Sequence, residues 1–140
     1  MTAFEFRVEG IPVPQGSKRI GRMGGTGGGR PIILDANDRK LRPWRNDVTA
    51  AAMVAARGQR PTVEAVTVRV DLFMPRPKSA KRARPSVKPD VDKLARGVLD
   101  SLTGVLFVDD SQVVELHARK WYATASDPPG ARITITALGT

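Results

Sequence analysis

Four of the five aspartates in the stretch KPDVDKLARGVLDSLTGVLFVDDSQVVE, residues 88–115, bracket one short amphipathic segment in two pairs: Asp90 and Asp92, then Asp109 and Asp110. Carboxylates are hard oxygen donors, and Mg²⁺ is bound by one or two of them, keeping several waters and taking a substrate phosphate to complete its shell. An ion held in this way activates a water and stabilises the charge that develops in an in-line phosphoryl displacement; two ions about 3.5–4 Å apart serve both the attacking and the leaving oxygen. The plainer use of the same residues is structural. Asp90 or Asp92 would cap a helix and complement its dipole, and Asp109 and Asp110 would make a turn. Each plain use accounts for one pair, but the recurrence of acidic pairs around one helix favours the metal site.

The elements that must position these carboxylates follow from periodicity. After Pro89, Val91, Leu94, Ala95, Val98, Leu99 and Leu102 form a broad apolar helical face, and Gly104 is a suitable stop. Asp90 and Asp92 lie where an extended segment turns into this helix, so two side chains spaced i, i+2 can converge there. An antiparallel return after Gly104 is expected to bring Asp109 and Asp110 back toward the N-terminal end of the helix. Asp92, Arg96 and Asp100 repeat at i, i+4 on another face. Asp100 is about 12 Å from Asp92 by helical rise, too far to share an ion, and is assigned a supporting role.

Before this helix, residues 4–9 alternate as a half-buried strand. A first helix is expected from near Arg42, with Pro43 at its first position and Gly58 as its C-terminal cap, and with Trp44, Val48, Ala51, Ala52 and Ala55 on one face. Residues 66–74 alternate as a second strand. Behind the acidic helix, residues 112–122 and 131–138 read as two more strands. The expectation is one α/β (α+β) domain over residues 1–140, a mixed β-sheet with two main helices in the order β-α-β-α-β-β.

The surroundings of the aspartates are basic, with 23 Lys and Arg against 14 Asp and Glu and a net charge of +9 over 140 residues. That balance favours phosphate-bearing partners, nucleic acid first. Two segments concentrate it, and both are expected to be flexible. GSKRIGRMGGTGGGR, residues 16–30, holds Lys18 and Arg19, and its glycines match neither G-x-x-x-x-G-K-[ST] nor G-x-G-x-x-G. Residues 76–88 carry Arg76, Lys78, Lys81, Arg82, Arg84 and Lys88 with no acidic residue, among prolines that resist regular structure. The absence of Cys excludes disulfides, thiolate catalysis and Cys-based zinc sites, and His117 as the single His excludes a multi-His metal site. No apolar run approaches the roughly 20 residues of a membrane span, and the N-terminus lacks a charged start followed by an apolar stretch. A soluble, cytoplasmic protein is expected, with no membrane partner and no small-molecule cofactor.

The run PDVDKLARGVLDSLTGVLFVDDSQVVELHARKWY closely resembles the signature of RusA-type Holliday junction resolvases, a D-x-D helix start, a D-x-L helix end with Gly, then DD-[SA]-Q-[IV]. The N-terminal GIPVPQGSKR is similar to that family's G-x-P-x-P-K-G-x-x-R opening, and Trp44 in the first helix agrees as well. The resemblance implies a small mixed α/β homodimer that binds four-way DNA junctions and, with Mg²⁺ (Mn²⁺ as a substitute), nicks paired strands symmetrically in recombination and repair. It also implies that Asp90, Asp92 and Asp110 are the metal-binding catalytic carboxylates, with Asp109 as the neighbouring candidate. One position departs from the pattern. Arg96 stands where the family carries a functionally important Lys; it keeps the charge that stabilises a phosphate but is practically never deprotonated. Lys93, where the family often has Asn, is a candidate substitute cation. A phage or prophage origin, in a bacterial or infected cell, is the corresponding expectation.

Two other classes compete. A non-catalytic basic protein would grip nucleic acid through residues 16–30 and 76–88, yet clustered aspartates beside that surface would repel phosphate unless a cation lay between. A PD-(D/E)xK nuclease fails on order, because Asp38-Arg39-Lys40 precedes Pro89-Asp90. His117 is expected to be a packed or interface residue, Lys120 a solvated one, and Trp121, Tyr122 and Phe107 core or interface.

Overall fold

A computed structural model describes residues 2–16, 18–22, 31–35 and 38–139. In chain order the elements are β1 (Ala3–Glu9), β2 (Lys18–Arg22), β3 (Pro31–Asp35), α1 (Asp38–Ala56), β4 (Val66–Met74), α2 (Val91–Leu102), β5 (Val113–Tyr122) and β6 (Gly130–Ala137), with one 3₁₀ turn at Asp110–Gln112 before β5. Four strands make a mixed sheet in the order β1-β6-β4-β5. β6 is antiparallel to β1 and to β4, whereas β5 is parallel to β4. A parallel neighbour cannot be reached by a hairpin and needs a crossover, which α2 supplies.

The core lies between one face of this sheet and the two helices. Alternation along β4 sends Val66, Val68, Val70 and Leu72 to that face, where all four are fully buried, and Ile133 and Ile135 of β6 join them. Trp44, Val48 and Ala52 of α1 and Leu94, Val98 and Leu102 of α2 close the layer from above, with Leu106 and Phe107 filling its end. Each fully buried Leu, Val or Phe contributes about 1.5–3 kcal/mol by removal from water, so the apolar stripe of α2 fixes the helix on the sheet. Gly97 on that helix sits under the residues after β1: a Cβ there would meet the Val13 carbonyl at 3.5 Å, and the Gln15 amide donates to the Lys93 carbonyl at 3.0 Å.

The opposite sheet face is polar and built around Asp71 of β4, 5% exposed. Its Oδ1 accepts from Arg119 Nε at 2.8 Å and Trp121 Nε1 at 2.9 Å, and Arg69 Nε lies 3.6 Å from Oδ2. Burial alone would raise the Asp71 pKa, but these two hydrogen bonds and the charges of Arg119 and Arg69 outweigh it, so the carboxyl is held below its usual range.

The β-α-β-α-β-β order and mixed sheet agree with expectation, with two differences. The stretch 16–30 is not simply a basic loop: β2 lies in it and pairs antiparallel with β3, Lys18 opposite Asp35 and Arg22 opposite Pro31. The glycines and arginines of β2 hide its alternation, and β3 is a short apolar run that gains its identity from this pairing. Residues 17 and 23–30 lie outside the described residues. The first helix begins at Asp38, not near Arg42, so Pro43 is inside it. Pro43 forfeits one early backbone hydrogen bond that the packing of Leu41 and Trp44 offsets. The end is as expected, with Arg57 and Gly58 both at positive φ. Among the described residues no helix is long and apolar enough to cross a membrane.

Candidate functional site

Asp90 precedes the first residue of α2 with extended backbone, φ −72° and ψ 139°, the N-cap position whose side chain ordinarily accepts from the first turn. Its carboxylate makes no such bond and is half exposed, with the Lys93 ammonium 3.8 Å away. Asp92 in the first turn is exposed and makes no hydrogen bond or ion pair with the described residues. Two carboxylates at one helix head are therefore uncommitted to capping, and the plainer use of this pair fails. Beside them, Pro12, Val13, Pro14, Met74, Pro89 and Lys88 line a groove of about 540 Å³.

The second pair behaves unequally. Asp109 caps the 3₁₀ turn, accepting from the Ser111 amide at 3.2 Å and from the Ser111 hydroxyl, while Gln112 Oε1 accepts from the Asp109 amide at 2.8 Å. The Ser111 hydroxyl and then its amide hold the Asp109 carboxyl below its usual range. The turn is tied to the start of β4 by Gln112 Nε2, which donates to the carbonyls of Thr62 and Glu64, both at 2.8 Å. Asp109 is thus committed to the turn. Asp110 is exposed, and its side chain has no hydrogen bond or ion pair with the described residues.

The two pairs do not meet within one chain. Because β4 and β5 are parallel, α2 runs opposite to both; its head lies at the C-terminal end of β5, and its tail leads to Asp109 and Asp110 at the N-terminal end. Lys120 near the end of β5 donates to the carbonyls of Val87 and Pro89, at 2.7 and 2.8 Å, which ties the head of α2 to that end. The seven residue steps from Val113 to Lys120 span about 23 Å at strand rise. The expected return of Asp110 beside Asp90 and Asp92 is absent for this topological reason: the seven residues after Leu102 are used up in turns at the tail of the helix. Among the described residues no three His, Asp or Glu side chains are grouped to hold a metal ion. Exposed carboxylates that form no cap are nonetheless the donor chemistry that Mg²⁺ takes, so Asp90, Asp92 and Asp110 fit such an ion as ligands provided the two ends are brought together by a second copy.

Arg96 is exposed one turn beyond Asp92 and pairs with neither Asp92 nor Asp100. The segment 76–88 is not free of the sheet. The Arg76 guanidinium lies 4.9 Å from the Tyr122 ring centroid and Arg84 5.2 Å from Trp121, and Arg82 donates to the Tyr122 hydroxyl at 3.2 Å. Trp121 and Tyr122 therefore hold arginines in place, a role their sequence context does not announce, while Tyr122 and Phe107 are buried as expected. Lys78, Lys81 and Lys88 are exposed on the same segment, and Lys93 is half-buried beside Asp90. Lys18 and Arg19 are in β2, with side chains outside the described residues. His117 is exposed and paired with Glu115 at 2.7 Å, not packed. Lys120 is the residue that sequence reasoning undervalued; its one signal in the sequence is a lysine on the same alternation as Leu116, Ala118 and Tyr122, and the structure sets it level with the buried Leu72.

The sequence profile of "Endodeoxyribonuclease RusA" matches residues 9–136. The chain is also 31% identical to the "Uncharacterized protein YqaN" of Bacillus subtilis (strain 168) over 150 residues, 96% of each chain. With a mixed sheet, aspartates at the head of α2 that form no cap and a basic segment braced on aromatic rings, the chain belongs to the RusA endodeoxyribonuclease family, whose nucleases act on branched DNA junctions.

Proposed function

We propose that this nuclease is an Mg²⁺-dependent, structure-selective endodeoxyribonuclease that resolves four-way junctions by paired, symmetric nicks. It does so as a homodimer whose two sites each combine Asp90 and Asp92 of one protomer with Asp110 of the partner subunit. The observation that carries this reading is the state of the three carboxylates: all are exposed and none is spent on a cap, yet one chain holds them at opposite ends of β5.

The sheet order supports the pairing. β5 is an edge strand, with Val114 and Leu116 63% and 43% exposed. A two-fold axis across that edge sets two β5 strands antiparallel about 4.8 Å apart. The start of one β5 then lies beside the end of the other, so the partner's Asp110 arrives where Lys120 holds the head of α2. An axis near His117 also sets Glu115 opposite the partner subunit's Arg119, an attractive cross-strand pair. Two sites related by the axis match the two strands that a four-way junction must have cut.

When bound, Mg²⁺ supplies an activated water and neutralises charge on the scissile phosphate. The chain's own residues do the rest. Asp90, Asp92 and the partner's Asp110 supply ligand oxygens. Arg96 holds a fixed positive charge one helical turn away for the phosphate oxygens, acting electrostatically and not by proton transfer. Arg76, Arg82 and Arg84, braced on Trp121 and Tyr122, grip the flanking backbone, and Lys88 and Lys93 line the approach past Asp90.

The test is a Mg²⁺-dependent cleavage assay on a four-way junction, a Y-fork and a linear duplex, with Asp92→Asn as control. The expected result is junction-selective paired nicking by the native protein and binding without cleavage by the variant. Wild-type cutting by Asp92→Asn would refute the metal assignment. No nicking with either Mg²⁺ or Mn²⁺ would return the protein to the class of non-catalytic DNA binders.

A further inference from the structure

Lys120 stands on the helix-facing side of β5, level with the fully buried Leu72 of β4, at a position where the sheet otherwise carries apolar side chains. Its ammonium is not solvated freely but donates to two main-chain carbonyls, Val87 at 2.7 Å and Pro89 at 2.8 Å. Neither carbonyl belongs to a helix or strand, so the lysine supplies donors that no ladder provides. Pro89 is bonded directly to Asp90. The Asp90 side chain makes no capping bond and meets the Lys93 ammonium at 3.8 Å, so the direction in which it leaves the helix head follows chiefly from the backbone that enters α2. That backbone is clamped by Lys120 from one side.

We propose that Lys120 is a positioning residue for the nuclease site. It fixes the entry segment 87–89 so that the Asp90 carboxylate is presented beside Asp92 toward the ion, and it couples that placement to β5, the strand whose other end carries Asp110. The inference rests on the metal site proposed above. Lys120 itself touches neither the ion nor the phosphate. Its function needs two N–H donors aimed at two carbonyls, which Arg can supply and Met cannot. Groups that orient metal ligands commonly change metal affinity or activity by about 10- to 100-fold when removed.

The experiment measures Mn²⁺ affinity of the full-length protein by calorimetry, amide hydrogen exchange over residues 86–91 without metal, and cleavage as a function of Mn²⁺ concentration, for native protein, Lys120→Met, Lys120→Arg and Asp92→Asn. For Lys120→Met the expected results are Mn²⁺ affinity weaker by about tenfold, faster exchange confined to 86–91, and cleavage recovered in large part at saturating Mn²⁺. Lys120→Arg should restore most of the affinity, which a purely space-filling role would not do. Should Lys120→Met fail to fold, Lys120→Gln, with one amide donor group in place of the ammonium, is read for the same outcomes. Native Mn²⁺ affinity and native exchange in the Met or Gln variant would overturn the role of Lys120 while Asp92→Asn still loses the ion. Absence of Mn²⁺ binding by the native protein would instead overturn the metal site, and the inference with it.

Discussion

Mixing two dead variants should restore activity. Asp92→Asn and Asp110→Asn are prepared as separate homodimers, each expected to be inactive because every site lacks one carboxylate. After subunit exchange at equal amounts, about half of the dimers are heterodimers. In a heterodimer one site draws Asp90 and Asp92 from the Asp110→Asn chain and the partner's Asp110 from the Asp92→Asn chain, so all three carboxylates are native. The other site lacks both. About one quarter of the native number of sites therefore returns, one per heterodimer, and the product is a singly nicked junction instead of two resolved duplexes. The expectation follows from the strand that separates the two ends. About 23 Å of β5 lies between them, whereas oxygens bound to one Mg²⁺ sit about 2.1 Å from it. Denaturing gels of a junction labelled on each strand in turn read both the rate and the number of nicks. If Asp110 serves its own protomer, every site in the heterodimer is defective; continued inactivity of mixtures in which heterodimers have been isolated through two affinity tags would refute the shared site.

Four further outcomes are expected. Arg96→Gln lowers the cleavage rate by about 10²–10³-fold with junction affinity little changed, and Arg96→Lys keeps most of the rate; single-turnover kinetics with a binding titration separates the two effects. The slope of log affinity against log salt is steep, and Arg76→Ala, Arg82→Ala and Arg84→Ala each make it shallower by about 0.9 if each meets one duplex phosphate, as fluorescence anisotropy over a salt series will show. Leu116→Glu sets like charges diagonally across the two-fold axis near His117 and yields a folded monomer without cleavage, checked by analytical ultracentrifugation and circular dichroism. Asp71→Asn destabilises the protein by about 1–3 kcal/mol near neutral pH, because Arg119 and Trp121 lose a charged acceptor. The Asp71 pKa is lowered on folding, so its stabilisation is fully present above the unfolded value of about 3.9 and is lost as pH falls through the lower folded value. The gap between native protein and Asp71→Asn in urea titrations should narrow in that acid range.

The elements around the aspartates were legible because their patterns are local. Strict alternation in Val66 to Met74 gives the central strand, and the stripe Leu94, Val98 and Leu102 between Pro89 and Gly104 gives α2. Pro43 misled the start of α1, since a proline suited to a first helical turn is also tolerated slightly further in when neighbours are buried. The hairpin of β2 and β3 was hidden for another reason. Pro31 to Asp35 is a short apolar run, and a run of that length gains its identity only from the strand it pairs with.

The site divides along the same line. Which aspartates are available is a local matter: Asp109 with Ser111 and Gln112 forms its own capping box, which leaves Asp110 as the exposed partner, and Asp90 at an N-cap forms no cap at all. Where they lie is not local. Had β5 returned beside α2 immediately after Gly104, Asp110 would have reached the head of the helix within one chain. The parallel pairing of β5 with β4 prevents that, and it is decided by contacts between residues about fifty positions apart, such as Asp71 with Arg119 and Trp121. The same pairing leaves β5 at the edge of the sheet with its outer side open. In the dimer proposed above, the topology that parts the carboxylates within a protomer also provides the edge through which two protomers rejoin them, and catalysis is then conditional on dimerisation. Such a shared site, incomplete in a monomer, would match the paired, junction-selective nicking proposed above.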